Sequence, residues 1–321
     1  MEVVLIDSGI SQRLQDRCVG GMDIKWNNNT FVYGTDILDE NGHGSYCADV
    51  IMRVCPDASF YVIKIVDGNG YSSSGLLYKA FEACKKRNTR IICVSLSVIK
   101  ELEQEKITDV IKELRDMGKI ICVSVENGKE CSFPANLSSV IGVKGRIFYN
   151  QSFYIHEKED SNIVYFDSTP IVVRHPEGEY KFFYGNSKAN AVCVGMIANI
   201  LNKSPTMSVE ECWTLLISNA KVEFPVLTAN EMSYFTKKIS YQDAELFRRL
   251  VCKYNGKDIG LVQDYLAPVL SKSTGINMDN VICFLQVVER ELQVKIDYKN
   301  LSFSNIFYLG ELIEYLEGIA K

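Results

Sequence analysis

The sequence predicts an α/β domain with a mostly parallel sheet flanked by helices, followed by a small all-α module. Two observations predict the first part. Apolar runs of strand length recur at residues 2–6, 59–65, 90–94, 119–125 and 139–143, and helical patterns lie between several of them. Alternation of this kind sets parallel strands beneath covering helices. A third observation separates the C-terminal segment: beyond a polar joint at 226–242 its pattern is almost wholly helical, with Pro268 as its one proline.

The first strand, Glu2-Val3-Val4-Leu5-Ile6, is β-branched and ends at Asp7-Ser8-Gly9. Leu76 to Cys84 is helical, as are Ile107, Val110, Ile111, Leu114 and Met117, with Gly118 where a C-cap belongs. Residues 144–184 are mixed and aromatic, which suits hairpins. An apolar helix follows from about Ser187 to Leu201, and another near 208–218. The first domain is expected over 1–225, a linker over 226–242 and a helical domain over 243–321, with helices around 258–270, 280–292 and 306–319.

At 321 residues the chain has room for about two domains. Hydrophobic residues at 47% and charged residues at 23% exclude a disordered, collagenous or coiled-coil chain. The net charge of -5, without a long basic block, argues against a nucleic-acid partner. No apolar run is long enough to span a bilayer, and no signal-peptide pattern opens the chain, so no membrane association is expected. The eleven cysteines are scattered without metal-type spacing, which suits buried thiols in a reducing, cytoplasmic setting. No metal or other cofactor is expected.

Three segments carry what a nucleophilic serine mechanism requires. Asp7 follows a strand, His43 sits in Asn41-Gly42-His43-Gly44-Ser45, and Ser187 sits in Gly185-Asn186-Ser187-Lys188-Ala189 at a helix start. An imidazole takes the serine proton, and a carboxylate orients the ring and stabilises its charged form. The helix start aims free N–H groups at a developing oxyanion. Taken singly, each residue has a plainer role: Asp7 in a turn, Ser187 as an N-cap, Asn127-Gly128 as a turn. Asp36, Asp39 and Glu40 read as solvated loop acids, with a cation or basic-substrate site as the alternative. His156 and His175 read as solvated, and Cys47 and Cys193 as core residues.

Across roughly residues 1–224 these segments resemble the subtilisin-like serine peptidases, the subtilases. The order Asp, His, Ser is the one known for subtilisin. Asp7-Ser8-Gly9, His43-Gly44-Ser45 and Gly185-Asn186-Ser187 are similar to the family's three catalytic motifs. The resemblance implies an oxyanion donor at Asn127, in Val125-Glu126-Asn127-Gly128 where the family has Ala-Gly-Asn. It also implies substrate pairing along Ser95-Leu96-Ser97, with Gly70, Tyr71 and Ser72 in an opposing loop, by β-augmentation of a peptide.

Phe133-Pro134-Ala135 and Ser139 to Val143 resemble further family stretches. Asn186 replaces the family's threonine, where its amide could still donate to the oxyanion. Lys188 replaces methionine and is read as reaching solvent, an acidic substrate group or the site itself. Asn190 replaces serine or threonine, and Ala191-Val192 replaces Pro-His. With the first strand beginning almost at Met1, the inhibitory prodomain of exported subtilases is expected to be absent.

The C-terminal segment resembles acyl carrier proteins in Val288 to Ile296 and Tyr308 to Leu316. That family carries a phosphopantetheine arm on a serine. Here the position falls on Met278 or Asn280, so no arm is expected. The alternatives are a structural appendage and a docking surface for a substrate peptide or pathway partner. Together these features predict an intracellular serine endopeptidase acting on a peptide or protein, as in a dedicated processing step for a modified-peptide or natural-product precursor. Transpeptidation through the same acyl-enzyme and a catalytically impaired peptide-binding scaffold stand as alternatives.

Overall fold

The computed structural model describes residues 1–96, 103–148, 152–157, 161–221 and 237–320. These fall into two compact units. The first comprises Met1–Thr169, His175–Glu179 and Tyr184–Glu223; the second comprises Pro170–Arg174, Tyr180–Phe183 and Phe224–Lys321.

The first unit is built on β1 (Glu2–Asp7), β2 (Cys18–Asn27), β3 (Thr30–Gly34), β4 (Ser59–Lys64), β5 (Ile91–Val94), β6 (Ile120–Ser124), β7 (Ile141–Arg146), β8 (Tyr154–Ile155) and β9 (Ile163–Asp167). They form one nine-stranded sheet in the order β3-β2-β4-β1-β5-β6-β7-β9-β8. Only β2 with β3 and β8 with β9 run antiparallel. The predicted α/β class, a mostly parallel sheet with helices against it, is therefore what forms.

β1, β5 and β6 lie in the middle of the sheet, so both of their faces are covered. That is why they read as unbroken apolar runs: Val3 to Ile6, Ile91 to Val94 and Ile120 to Val123 are all buried. Fully burying each such side chain contributes about 1.5–3 kcal/mol. The β2–β3 hairpin had no such signal. It turns through Asn28 and Asn29, whose φ angles of 48° and 60° suit the two-residue turn that follows a strand's twist.

Among the described residues five helices cover the sheet: α1 (His43–Val54), α2 (Ser74–Cys84), α3 (Gln104–Asp116), α4 (Gly185–Lys203) and α5 (Val209–Ser218). Ser73 caps α2 by accepting from the Leu76 N–H, and Ser208 with Glu211 forms a capping box on α5. Leu77, Phe81, Ile107 and Ile111 share one core with Ile6, Val94 and Val123. α4 is buried from Ala189 to Gly195. Its Gly195 lets α1 approach, since a Cβ there would lie 2.6 Å from that of Val54.

The second unit contains the antiparallel strands β10 (Ile171–Arg174) and β11 (Tyr180–Phe183), and the helices α6 (Tyr241–Asn255), α7 (Val281–Leu292), α8 (Ser304–Phe307) and α9 (Leu309–Ile319). Its core includes Val172, Phe182, Phe247, Phe284, Leu285, Ile306 and Leu312. The helix expected at 258–270 is not formed. Gly256 in the left-handed region ends α6, and the following backbone bonds outward instead: Tyr265 N–H to the Lys237 carbonyl, and Val269 N–H to that of Phe307. Helical periodicity there reflected burial of Tyr265 and Val269, which irregular chain achieves as well.

Candidate active site

Asp7 is the last residue of β1, at the carboxyl end of an inner strand of the sheet, and is fully buried. Its Oδ1 accepts the Ser8 N–H at 2.8 Å. The Nδ1 of His43 lies 2.8 Å from Oδ1 and 3.0 Å from Oδ2 of Asp7. This contact fixes the ring's orientation and makes Nε2 the ring nitrogen not bonded to Asp7.

His43 opens α1, and the loop before it turns through Gly42 at φ 97°. A side chain at Gly42 would also meet the Tyr46 hydroxyl at 2.7 Å. The loop is organised by Asp39, which the sequence placed among solvated acids or a cation site. It is instead 2% exposed. Its Oδ1 accepts from Ser8 Oγ and from the N–H groups of Asn41 and Gly42; its Oδ2 accepts from the N–H and hydroxyl of Ser45. Ser8 Oγ in turn accepts the Gly44 N–H at 2.9 Å. A carboxylate with this many donors needs no cation.

Burial works against a charged His43, but the Asp7 carboxylate outweighs it. The imidazole pKa is raised well above its ordinary value. Cys47 Sγ lies 3.8 Å from Asp7 Oδ2 and 4.0 Å from His43 Nδ1. Burial pushes this thiol up to about 12, so it stays protonated and is a poor nucleophile. Asp7, His43 and Cys47 are the one group among the described residues with metal-ligand spacing. With the carboxylate already bonded to the ring, that spacing follows from the Asp–His pair.

Ser187 occupies the first turn of α4 and is half-buried. Its hydroxyl makes no hydrogen bond among the described residues, so the structure pairs Asp7 with His43 but does not close the third link to Ser187. The two halves meet through Ser95. Asn190, one turn along α4, donates to Ser95 Oγ at 3.2 Å and to the Val94 carbonyl at 3.0 Å, while Cys47 Sγ lies 3.8 Å from the same hydroxyl.

Asn127 follows β6 and is exposed; its Oδ1 accepts the Asn186 N–H at 3.0 Å. This holds the side chain at the N-terminus of α4, with Nδ2 available to donate. The expectation that the Asn186 amide faces the oxyanion is corrected. Asn186 is buried, its Nδ2 donates to the Val125 carbonyl at 2.8 Å and its Oδ1 accepts the Gly145 N–H at 2.7 Å, so the side chain braces β6 to β7. Lys188 is likewise turned inward, fully buried against Asp167.

Of the substrate-facing residues, Ser95 and Leu96 continue β5 beyond Val94, where its pairing with β1 and β6 ends. Ser97 lies outside the described residues. Gly70 (φ 84°), Tyr71 and Ser72 form a loop, with Tyr71 73% exposed and Ser72 Oγ donating to the Ile65 carbonyl. Asn41 Nδ2 reaches the Gly68 carbonyl at 3.4 Å, tying that loop to the one before His43. The two remaining histidines are not solvated as expected. His175 is 6% exposed, and His156 is half-buried and bonded to the Ser161 carbonyl.

The family model described as the subtilase family matches residues 2–250. Among characterised relatives, subtilisin E of Bacillus subtilis (strain 168) is 25% identical over 221 residues, covering 64% of this chain and 56% of that protein. Subtilisin J of Geobacillus stearothermophilus is 24% identical over the same shares. The chain thus spans little more than half the length of these relatives. Among solved structures, sphericase is similar at a TM-score of 0.55 and 16% identity, over 68% of this chain and 82% of that one. A cold-adapted subtilisin-like serine proteinase matches at the same TM-score and 17% identity, over 68% and 81%. These last two likenesses concern the fold.

Proposed function

Because this chain belongs to the subtilase family, we propose that it is a serine endopeptidase whose catalytic groups are Asp7, His43 and Ser187. The observation that carries this reading is the two-oxygen contact between Asp7 and His43 Nδ1 at the carboxyl end of the inner strand β1. In a parallel sheet that end is where reacting groups collect.

Ser187 Oγ attacks the scissile carbonyl carbon as His43 Nε2 takes its proton, and Asp7 stabilises the imidazolium formed. The oxyanion receives hydrogen bonds from Asn127 Nδ2 and the backbone N–H of Ser187, in the first turn of α4 where N–H groups lack helical partners. His43 then gives its proton to the leaving amine, and water repeats the sequence on the acyl-enzyme. The Ser187–His43 hydrogen bond forms as substrate docks, since catalytic contacts often tighten only then.

The substrate is a peptide or protein laid along Ser95 and Leu96. The protein works in the cytoplasm, as its eleven free cysteines suit, and no helix among the described residues is long and apolar enough to cross a membrane. A dedicated processing role fits the second unit acting as a carrier-like docking domain. Its α7 begins just after Asn280, whose side chain bonds the Asn277 N–H and the Gly275 carbonyl, so that position serves the fold and not a prosthetic arm. Reaction with a fluorophosphonate and peptide cleavage, both lost in Ser187→Ala, test the assignment; unchanged turnover by that variant would refute it.

A further inference from the structure

The Glu126 carboxylate is the anomaly of this site. It follows Val125, which is 2% exposed in the apolar core, and precedes Asn127. Its backbone is fixed on both sides, by the Glu126 N–H donating to Ser132 Oγ at 2.8 Å and its carbonyl accepting the Lys129 N–H at 3.1 Å. The side chain is half withdrawn from water, yet the carboxylate makes no hydrogen bond or ion pair among the described residues. Two cations of the adjoining strand β7 are used elsewhere: Lys144 pairs with Glu130 at 2.9 Å and Arg146 with Glu157. Lys129 is exposed and makes no pair with Glu126.

Position gives this carboxylate a role. β5 and β6 run parallel with Val94 beside Val123, so Ser95 and Leu96 run out level with Ser124 and Val125. A peptide lying along Ser95 and Leu96 with its attacked carbonyl oxygen at Asn127 would set the side chain of that residue beside these two strand ends. Glu126, between Val125 and Asn127, is the acid among the described residues that directly follows these strand ends. A partly desolvated carboxylate without a partner is costly, and a cation brought by the ligand removes that cost while forming a charge-assisted bond.

We infer that Glu126 selects substrates with lysine or arginine on the acyl side of the scissile bond. This deepens the peptidase reading and rests on it. Arginine is the better fit, because its planar fork can hold both carboxylate oxygens.

The test is cleavage of a diverse peptide library by the full-length protein, read by mass spectrometry, with Glu126→Gln and Glu126→Arg beside it. Fluorophosphonate labelling reports in each protein whether Ser187 is assembled. Wild type should cut after Lys or Arg with kcat/KM roughly 10- to 100-fold above that for the same peptides carrying a neutral residue there. Glu126→Gln should erase that ratio, and Glu126→Arg should turn it toward acidic residues. Cleavage by wild type without a basic preference, or a preference that survives in a labelled Glu126→Gln protein, overturns the inference and leaves the peptidase reading standing. Failure of wild type both to label and to cleave removes the peptidase reading, and this inference with it.

Discussion

Lys188 Nζ lies 2.5 Å from Asp167 Oδ2, with the two side chains 0% and 1% exposed. The ammonium also donates to the Asp167 carbonyl at 2.9 Å, and the carboxylate receives the Phe148 and Thr169 N–H groups and the Thr169 hydroxyl. Burial opposes charge on Asp167, but Lys188 and these donors prevail and hold its carboxyl below the usual carboxylate range. The residue after Ser187 is thereby anchored to the end of β9. Its charge is spent inside the domain, which removes one motive for reading the site as impaired.

Breaking this pair from one side leaves a buried charge without its partner, at a cost of about 3–5 kcal/mol. Lys188→Met and Asp167→Asn should each lose about that much stability, while Lys188→Met with Asp167→Leu together should recover much of it. Both tryptophans, Trp26 and Trp213, belong to the first unit, so tryptophan fluorescence in urea follows that unit alone. Single variants within about 1 kcal/mol of wild type would show that the pair contributes little.

The pH dependence should follow His43, whose pKa Asp7 raises well above the ordinary value against the effect of burial. A raised pKa means the folded state favours the imidazolium. Stability from the Asp7–His43 pair is full below the unfolded histidine value and is lost as pH rises through the folded one. Catalysis runs the other way, because only the neutral ring accepts a proton. The acidic limb of kcat/KM should therefore lie above pH 6.5, about the free histidine value. In Asp7→Asn the residual activity should show that limb moved to lower pH; an unmoved limb would assign it to another group.

Asn127 and Asn186 adjoin each other but should respond differently. On the proposed mechanism Asn127→Ala removes an oxyanion donor, together with the exposed acceptor of the Asn186 N–H, and should lower kcat about 100- to 1000-fold with KM little changed, the loss known for such a donor in subtilisin. Asn186→Ala strands the Gly145 N–H and the Val125 carbonyl, so it should also lower stability, by about 1–3 kcal/mol. Steady-state kinetics beside urea melts separate the two. Equal stability losses would mean that the bond from the Asn186 N–H to Asn127 braces the fold as much as the buried Asn186 side chain does.

Asp7, His43 and the start of α4 were legible because the local sequence that marks them is also what builds them. A β-branched run ends in an acid, glycines flank the histidine, and Gly185 lies two residues before the serine. α5 was legible through its capping box, within a residue of its formed limits. Asp39 and Lys188 were misread for a shared reason: what each touches is set by tertiary approach. The donors on Asp39 come from residues 8, 41, 42 and 45, and the anion on Lys188 lies 21 residues back on β9. Spacing along the chain does not carry that information. The Asp258 to Leu270 segment failed differently, because its buried residues mimic helical spacing while its backbone bonds across to residues near 237 and 307.

The cysteines allow a direct test of which atom is the nucleophile. Cys47 is the sulfur nearest His43, but it is fully buried and its thiol, pushed up to about 12, holds almost no thiolate at neutral pH. Cys131, Cys252 and Cys283 are exposed. Iodoacetamide on the native protein should therefore modify these three first, as peptide mapping would show, and leave peptidase activity intact. Cys47→Ala should likewise keep the fluorophosphonate reaction at Ser187, because the hydroxyl supplies the electron pair and the thiol only fills space behind the ring. Rapid inactivation that tracks an adduct on Cys47, with the three exposed thiols protected, would mean that the sulfur is far more accessible and acidic than its surroundings allow.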